Sequence, residues 1–195
     1  MEFTPLGIEG AWLAKSPVWE DNRGHFSEWF KREEILLKTG IDFSVQQSNV
    51  SLSNRGVIRG IHYSLAPEGQ AKWVICSRGA IIDYIVDLRT NSPTFKSFKS
   101  AQLRESDGNA ILISAGLGHG FLSLEDSSQI TYLLSSEFSA EHEFGINPFD
   151  LDLNIDWKKY CSTEFILSKK DKEAPTIQEL LYTSLLPKIA MLGEE

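Results

Sequence analysis

Between Lys72 and Leu134 the chain alternates short β-branched runs with turn residues and offers no helical segment between them. Lys72–Ser77 and Ala80–Leu88 flank Gly79, while Ala110–Ile113 and Gln129–Leu134 are bounded by Gly, Ser, Asp and Asn. β-branched and aromatic side chains suit a pleated, half-buried surface, and the intervening glycine marks a reversal of direction. A parallel α/β sheet needs a crossover helix between successive strands, so that class is excluded. What remains is a mainly β fold, a sandwich or jelly-roll barrel of many short strands. Helix signals are confined to Lys31–Lys38, which should end before Gly40, and to Thr176–Leu186, entered after Pro175 and stopped by Pro187.

The 195 residues suit one domain, 1–195, in which 172–195 reads as a C-terminal helical extension. A core of that size needs no covalent staples. Cys76 and Cys161 stand far apart without a CxxC pair, which suits a reducing cytoplasmic setting. No secretory leader pattern is visible at the start, and no apolar run approaches the ~18–20 residues that span a bilayer, so no membrane partner is expected. The net charge of −8 argues against nucleic acid, because neutralising phosphates needs surplus Lys and Arg. It leaves room for a small anionic ligand, provided that a local basic patch holds it.

Two of the four histidines stand in distinctive surroundings: His62 in Arg59-Gly-Ile-His-Tyr63 and His119 in Gly118-His-Gly-Phe121. In a regular strand Arg59 and His62 would face one another only if the segment bends. Metal-binding β-barrels pair two histidines one residue apart with a nearby carboxylate. His62-Tyr-Ser64 holds one imidazole, so no metal site is expected. Neither GxGxxG nor GxxxxGK[ST] occurs.

A set of ordered segments carries a more specific signal: Asp21-Asn-Arg-Gly-His-Phe-Ser-Glu28, Val45-Gln-Gln-Ser-Asn-Val-Ser51, Gly56-Val-Ile-Arg-Gly-Ile-His62, Gln70-Ala-Lys-Trp-Val74, Val86-Asp-Leu-Arg-Thr-Asn-Ser-Pro-Thr-Phe95, Gly116-Leu-Gly-His-Gly-Phe121 and Tyr132. In these the chain resembles the dTDP-4-dehydrorhamnose 3,5-epimerases, cupin-fold epimerases of dTDP-4-keto-6-deoxy sugars, from about residue 20 to Asp171. The resemblance implies a jelly-roll barrel and a homodimer with exchanged N-terminal segments. It also implies proton transfer beside a ketone in nucleotide-deoxysugar biosynthesis, with no cofactor because the ketone itself is the electron sink.

Residue by residue, the resemblance implies His62 as the base, Asp171 as its partner, Tyr132 as the acid and Lys72 beside the enolate oxygen. His119 matches a second active-site histidine. Arg23 and Arg59 match diphosphate-binding positions, where guanidinium forks suit phosphate oxygens. Arg23 and Glu28 would reach a neighbouring subunit. Gln47 and Asn49 match polar residues on the nucleotide and sugar, and Glu143 and Lys170 match peripheral positions. Without the resemblance, Asp171 reads as one member of a solvated charge run, Tyr132 as a strand-core tyrosine and Lys72 as a strand-edge lysine. Arg89 reads as a structural partner of Asp87 or Asp83.

The chain departs from the family pattern at Ser48, at Asn147-Pro-Phe-Asp150 and at Ser135-Ser-Glu-Phe138, where Phe138, with Trp19, is left to stack on the nucleobase. These departures fit a variant substrate or inversion at a single carbon. Alternative readings are a 3,4-ketoisomerase on the same substrate type, a non-catalytic nucleotide-sugar-binding cupin and a metal-dependent oxygenase.

Overall fold

A computed structural model describes residues 1–67 and 69–189. Six strands form one antiparallel sheet in the order β1 (Glu2–Pro5), β2 (Ala11–Lys15), β10 (Asn109–Ile113), β7 (Lys72–Arg78), β12 (Ser128–Leu134) and β5 (Gln47–Ser53). Five form a second sheet in the order β13 (Glu143–Gly145), β6 (Ile58–Ser64), β11 (Leu117–Ser123), β8 (Ala80–Asp87) and β9 (Phe98–Arg104). A separate hairpin pairs β3 (Val18–Asp21) with β4 (Gly24–Ser27). The architecture is the mainly β jelly roll that the sequence implies.

Strand alternation sorts the apolar side chains into three clusters. Val74, Cys76, Ile111 and Ile130 of the six-stranded sheet meet Ile81, Ile85, Leu103 and Phe121 of the other, filling the space between the sheets. All eight residues of β8 are buried because both of its faces are covered. Ile81 and Ile85 face the barrel interior, while Ile82, Tyr84 and Val86 pack under Trp157, Ile177 and Leu180 of the C-terminal segment. The outer face of the six-stranded sheet is covered by Ile35 and Phe43, which pack with Trp73 and Leu112.

Helix α1 (Arg32–Thr39) ends at Gly40, whose φ of 75° lets its N–H bond back to Leu36. A one-turn helix, α2 (Lys169–Lys172), precedes α3 (Ile177–Thr183). The latter is shorter than its leucine pattern implies. Thr176 and Glu179 form a reciprocal capping box at its start, but Ser184 turns left-handed at φ 57° and ends it. Ile177 and Leu180 bury into the cluster beneath β8, and the Ile177 N–H donates to Asp150 Oδ2 at 2.7 Å. Residues 190–195 of the expected C-terminal extension lie outside the described residues.

One irregularity shapes the site. In the β6–β11 pairing His62 opposes His119, but Arg59 opposes Phe121, so three steps on one strand match two on the other. The bulge turns Arg59 to the same side as His62, a juxtaposition that regular alternation forbids. Gly60 lies in the crowded part of this bulge, at φ 113°. A Cβ there would sit 2.6 Å from Gly120 Cα, so only glycine fits.

Candidate active site

The Lys169–Glu173 charge run is not uniformly solvated. Ser168 caps α2 by accepting the Asp171 N–H at 3.0 Å, and that turn leaves Lys169, Lys170 and Lys172 exposed while Asp171 points inward, 4% exposed. Its Oδ1 lies 2.6 Å from His62 Nε2. Burial opposes the Asp171 charge. The His62 hydrogen bond and charge, the Ser168 hydroxyl and Lys170 outweigh it and hold the carboxyl below the usual carboxylate range. A cavity of about 410 Å³ opens on the pair, lined by Arg59, His62, Ile166, Leu167, Lys170 and Asp171. The carboxylate fixes the imidazole while leaving its side chain 37% exposed, the arrangement a proton-transferring histidine needs.

A second histidine–carboxylate pair lies deeper. His119 Nε2 is 2.7 Å from Asp83 Oδ2, and Asp83 is wholly buried on the interior face of β8. Lys72 enters the same region from β7, 8% exposed. Burial pushes its ammonium below the usual lysine value, against the pull of the Glu143 and Asp83 carboxylates. The Asp83 carboxyl is pushed up by burial, against the pull of His119 and Lys72. Among the described residues Lys72 Nζ has no hydrogen-bond or ion-pair partner, and Asp83 Oδ1 and Glu143 Oε1 are buried without one. A buried ammonium with unused donors is poised to stabilise negative charge that develops on a ligand oxygen.

Other candidate residues stand on β12, β5 and the loop that follows β12. Tyr132, half-buried, packs against the interior cluster and stands opposite Asn49. Gln47 Nε2 donates to Asn49 Oδ1 at 2.9 Å, and Gln47 Oε1 accepts the Phe138 N–H at 2.8 Å. Phe138 itself is 58% exposed. Arg59 is tied to β5 by Nε to Ser53 Oγ at 3.1 Å and Nη2 to the Leu52 carbonyl at 3.0 Å.

Within one chain, Arg23 and Glu28 do not join this cavity. Arg23 is at the exposed tip of the β3–β4 hairpin and pairs with Asp21 at 2.6 Å, while Glu28 pairs with Lys31 at 2.6 Å. Trp19 stacks on Phe26 of the same hairpin with ring centroids 5.8 Å apart. A single chain therefore does not gather Arg23 with Arg59 and Lys72. Arg89 pairs with Asp87, not Asp83, at 2.8 Å.

Asp83 is the site residue that sequence reasoning passed over. Its signal is present all the same: it is a lone carboxylate inside the apolar run Ala80–Val86, where a charge persists only with a partner. Among the described residues no group of three or more His, Cys, Asp or Glu is placed to hold a metal ion. No helix among the described residues is long and apolar enough to cross a membrane.

Comparison with known proteins agrees with this geometry. Residues 5–179 match the family model described as dTDP-4-dehydrorhamnose 3,5-epimerase. A Streptomyces sp. dTDP-4-dehydro-6-deoxyglucose 3-epimerase is 44% identical over 94% of this chain and 92% of its own. A Streptomyces griseus dTDP-4-dehydrorhamnose 3,5-epimerase is 40% identical over 94% of this chain and 90% of its own. The crystal structure of ChmJ, a 3'-monoepimerase from Streptomyces bikiniensis in complex with dTDP-quinovose, superposes with a TM-score of 0.90 at 42% identity, covering 94% of this chain and 92% of that one. With a family model spanning most of the chain and relatives of this identity over nearly its whole length, the chain belongs to the dTDP-4-dehydrorhamnose 3,5-epimerase family.

Proposed function

We propose that this protein inverts C3, C5 or both of a dTDP-4-keto-6-deoxyhexose by proton transfer through an enolate. The observation that carries the reading is the pairing of an oriented histidine, His62 on Asp171, with Lys72, a buried lysine whose ammonium has no partner among the described residues. A C4 ketone acidifies the C–H bonds on either side of it. His62 removes one of these protons, and Asp171 stabilises the imidazolium and fixes the tautomer. The electron pair moves onto the C4 oxygen, where Lys72 and His119 face the new charge. A positioned donor of this kind contributes about 3 kcal/mol. Tyr132 returns a proton to the opposite face, which inverts the carbon. The ketone accepts and gives back the electron pair, so atoms and electrons balance without a redox cofactor.

Arg59 supports the diphosphate from within the chain, beside Lys170. Exposed Phe138 offers a face for the nucleobase. Arg23 and Glu28, with the solvent-facing Trp19–Phe26 stack, would serve the site of a second copy in a homodimer with exchanged N-terminal hairpins, a reading supported by their position at an exposed hairpin outside this chain's own cavity. Val50 and Leu52, 63% and 54% exposed on the outer face of edge strand β5, leave apolar surface for that copy to cover.

Incubation with dTDP-4-keto-6-deoxyglucose and NMR of the product tests the reading. A C3 or C5 epimer supports it. A ketone moved to C3 would instead show a ketoisomerase, and unchanged sugar with bound nucleotide a non-catalytic binder.

A further inference from the structure

Both ends of the Gln47 amide are engaged within the protein. Its Oε1 accepts the Phe138 N–H at 2.8 Å and its Nε2 donates to Asn49 Oδ1 at 2.9 Å. These two bonds fix which end of the amide is which, and they leave the Asn49 amide nitrogen without a hydrogen-bond partner among the described residues. One donor and one acceptor of the amide are thus committed to holding protein groups in place.

What Gln47 holds is a short loop that carries an exposed aromatic ring. The loop leaves β12 at Leu134. Ser135 is anchored because its N–H donates to the Ala71 carbonyl and its hydroxyl accepts the Ala71 N–H. The loop turns where the His142 N–H donates to the Ser139 carbonyl, and it is anchored again where the His142 carbonyl accepts the Leu65 N–H at 2.8 Å. Between these anchors, the bond from Gln47 is the only hydrogen bond to residues 136–138 among the described residues. Gln47 itself sits on β5 opposite Leu134, on a rigid ladder.

We propose that Gln47 is a positioning residue for nucleobase binding: it clamps the Phe138 backbone so that the ring presents a fixed stacking face, and it orients Asn49 as a donor. Stacking on an aromatic ring is sequence-tolerant but sensitive to geometry, so a ring held in place contributes affinity that a loose ring loses to ordering entropy. The inference rests on the nucleotide-sugar reading above, specifically on Phe138 meeting the base.

Calorimetric titration separates this role from direct contact, with dTDP and inorganic pyrophosphate as probes and circular dichroism to check folding. Gln47→Leu should raise the Kd for dTDP by about tenfold, the scale of losing one base–aromatic stack, and leave pyrophosphate within about twofold. Gln47→Glu keeps an acceptor for the Phe138 N–H. Its discrimination between dTDP and pyrophosphate should therefore stay near that of the natural protein, even though the added charge weakens both. In a Phe138→Ala background, Gln47→Leu should have little further effect on dTDP. Equal loss of dTDP and pyrophosphate, or full additivity with Phe138→Ala, would overturn the proposal while leaving the stacking reading intact. If Phe138→Ala alone leaves dTDP binding unchanged, the stacking reading fails and the proposal falls with it.

Discussion

His62 Nε2 lies 2.6 Å from Asp171 Oδ1, although 109 residues separate them in the chain. One partner comes from a bulged strand and the other from a single helical turn that packs against that strand. The site thus depends on the C-terminal segment as much as on the barrel.

Asp171→Asn keeps the shape of this pair but removes the charge that steadies an imidazolium. It should lower kcat for epimerisation by roughly 10²–10⁴, the range seen when a histidine loses its orienting carboxylate. Steady-state kinetics with NMR detection of product would check this. A loss under about twofold would remove Asp171 from the mechanism.

Tyr132→Phe removes only a hydroxyl from the barrel wall. It should retain deprotonation, with solvent deuterium entering recovered substrate, and lose inversion. An epimer ratio equal to that of the natural enzyme would contradict the acid role.

Asp87 is fully buried under Arg89, Ser92 and Thr94. Burial opposes its charge, but these hydrogen bonds outweigh it and hold the carboxyl below the usual range. A depressed carboxyl stabilises the fold above its unfolded value of about 3.9, and the contribution is lost as pH falls below that. Asp87→Asn should cost about 3–5 kcal/mol in urea unfolding at neutral pH, the usual price of breaking a buried pair. The gap from the natural protein should narrow below about pH 4. A gap that stays constant on acidification would refute the linkage.

If hairpins are exchanged, each active site takes His62 from one chain and Arg23 from the other. Co-refolding inactive His62→Ala with weakened Arg23→Ala chains should then recover about a quarter of natural activity, since half the dimers are mixed and each holds one intact site. No recovery in dimers shown to be mixed would argue that Arg23 serves its own chain.

Much of the barrel is legible in the sequence because β-branched and aromatic runs bounded by turn residues mark its strands: Lys72–Ser77 and Ala80–Leu88 read as the strands they form, to within a residue, although the two lie in different sheets. Gly40 likewise announces the end of α1. The site is less legible because it is assembled by departures from regularity. Arg59 and His62 share a face only through the bulge at Gly60 and Gly120, a pairing between strands that are distant in sequence. Asp171 looks like any carboxylate among lysines until the Ser168 cap turns it inward. The early end of α3 is equally hidden, since Ser184 follows a pattern of leucines that would continue a helix.

The central claim is that His62 removes a proton from a carbon beside the ketone. Incubation with dTDP-4-keto-6-deoxyglucose in deuterated water, followed by proton NMR, tests it directly. The account predicts deuterium at C3, C5 or both with the natural enzyme and none with His62→Ala. Absence of wash-in at either carbon with the natural enzyme, or wash-in that persists in His62→Ala, would contradict it.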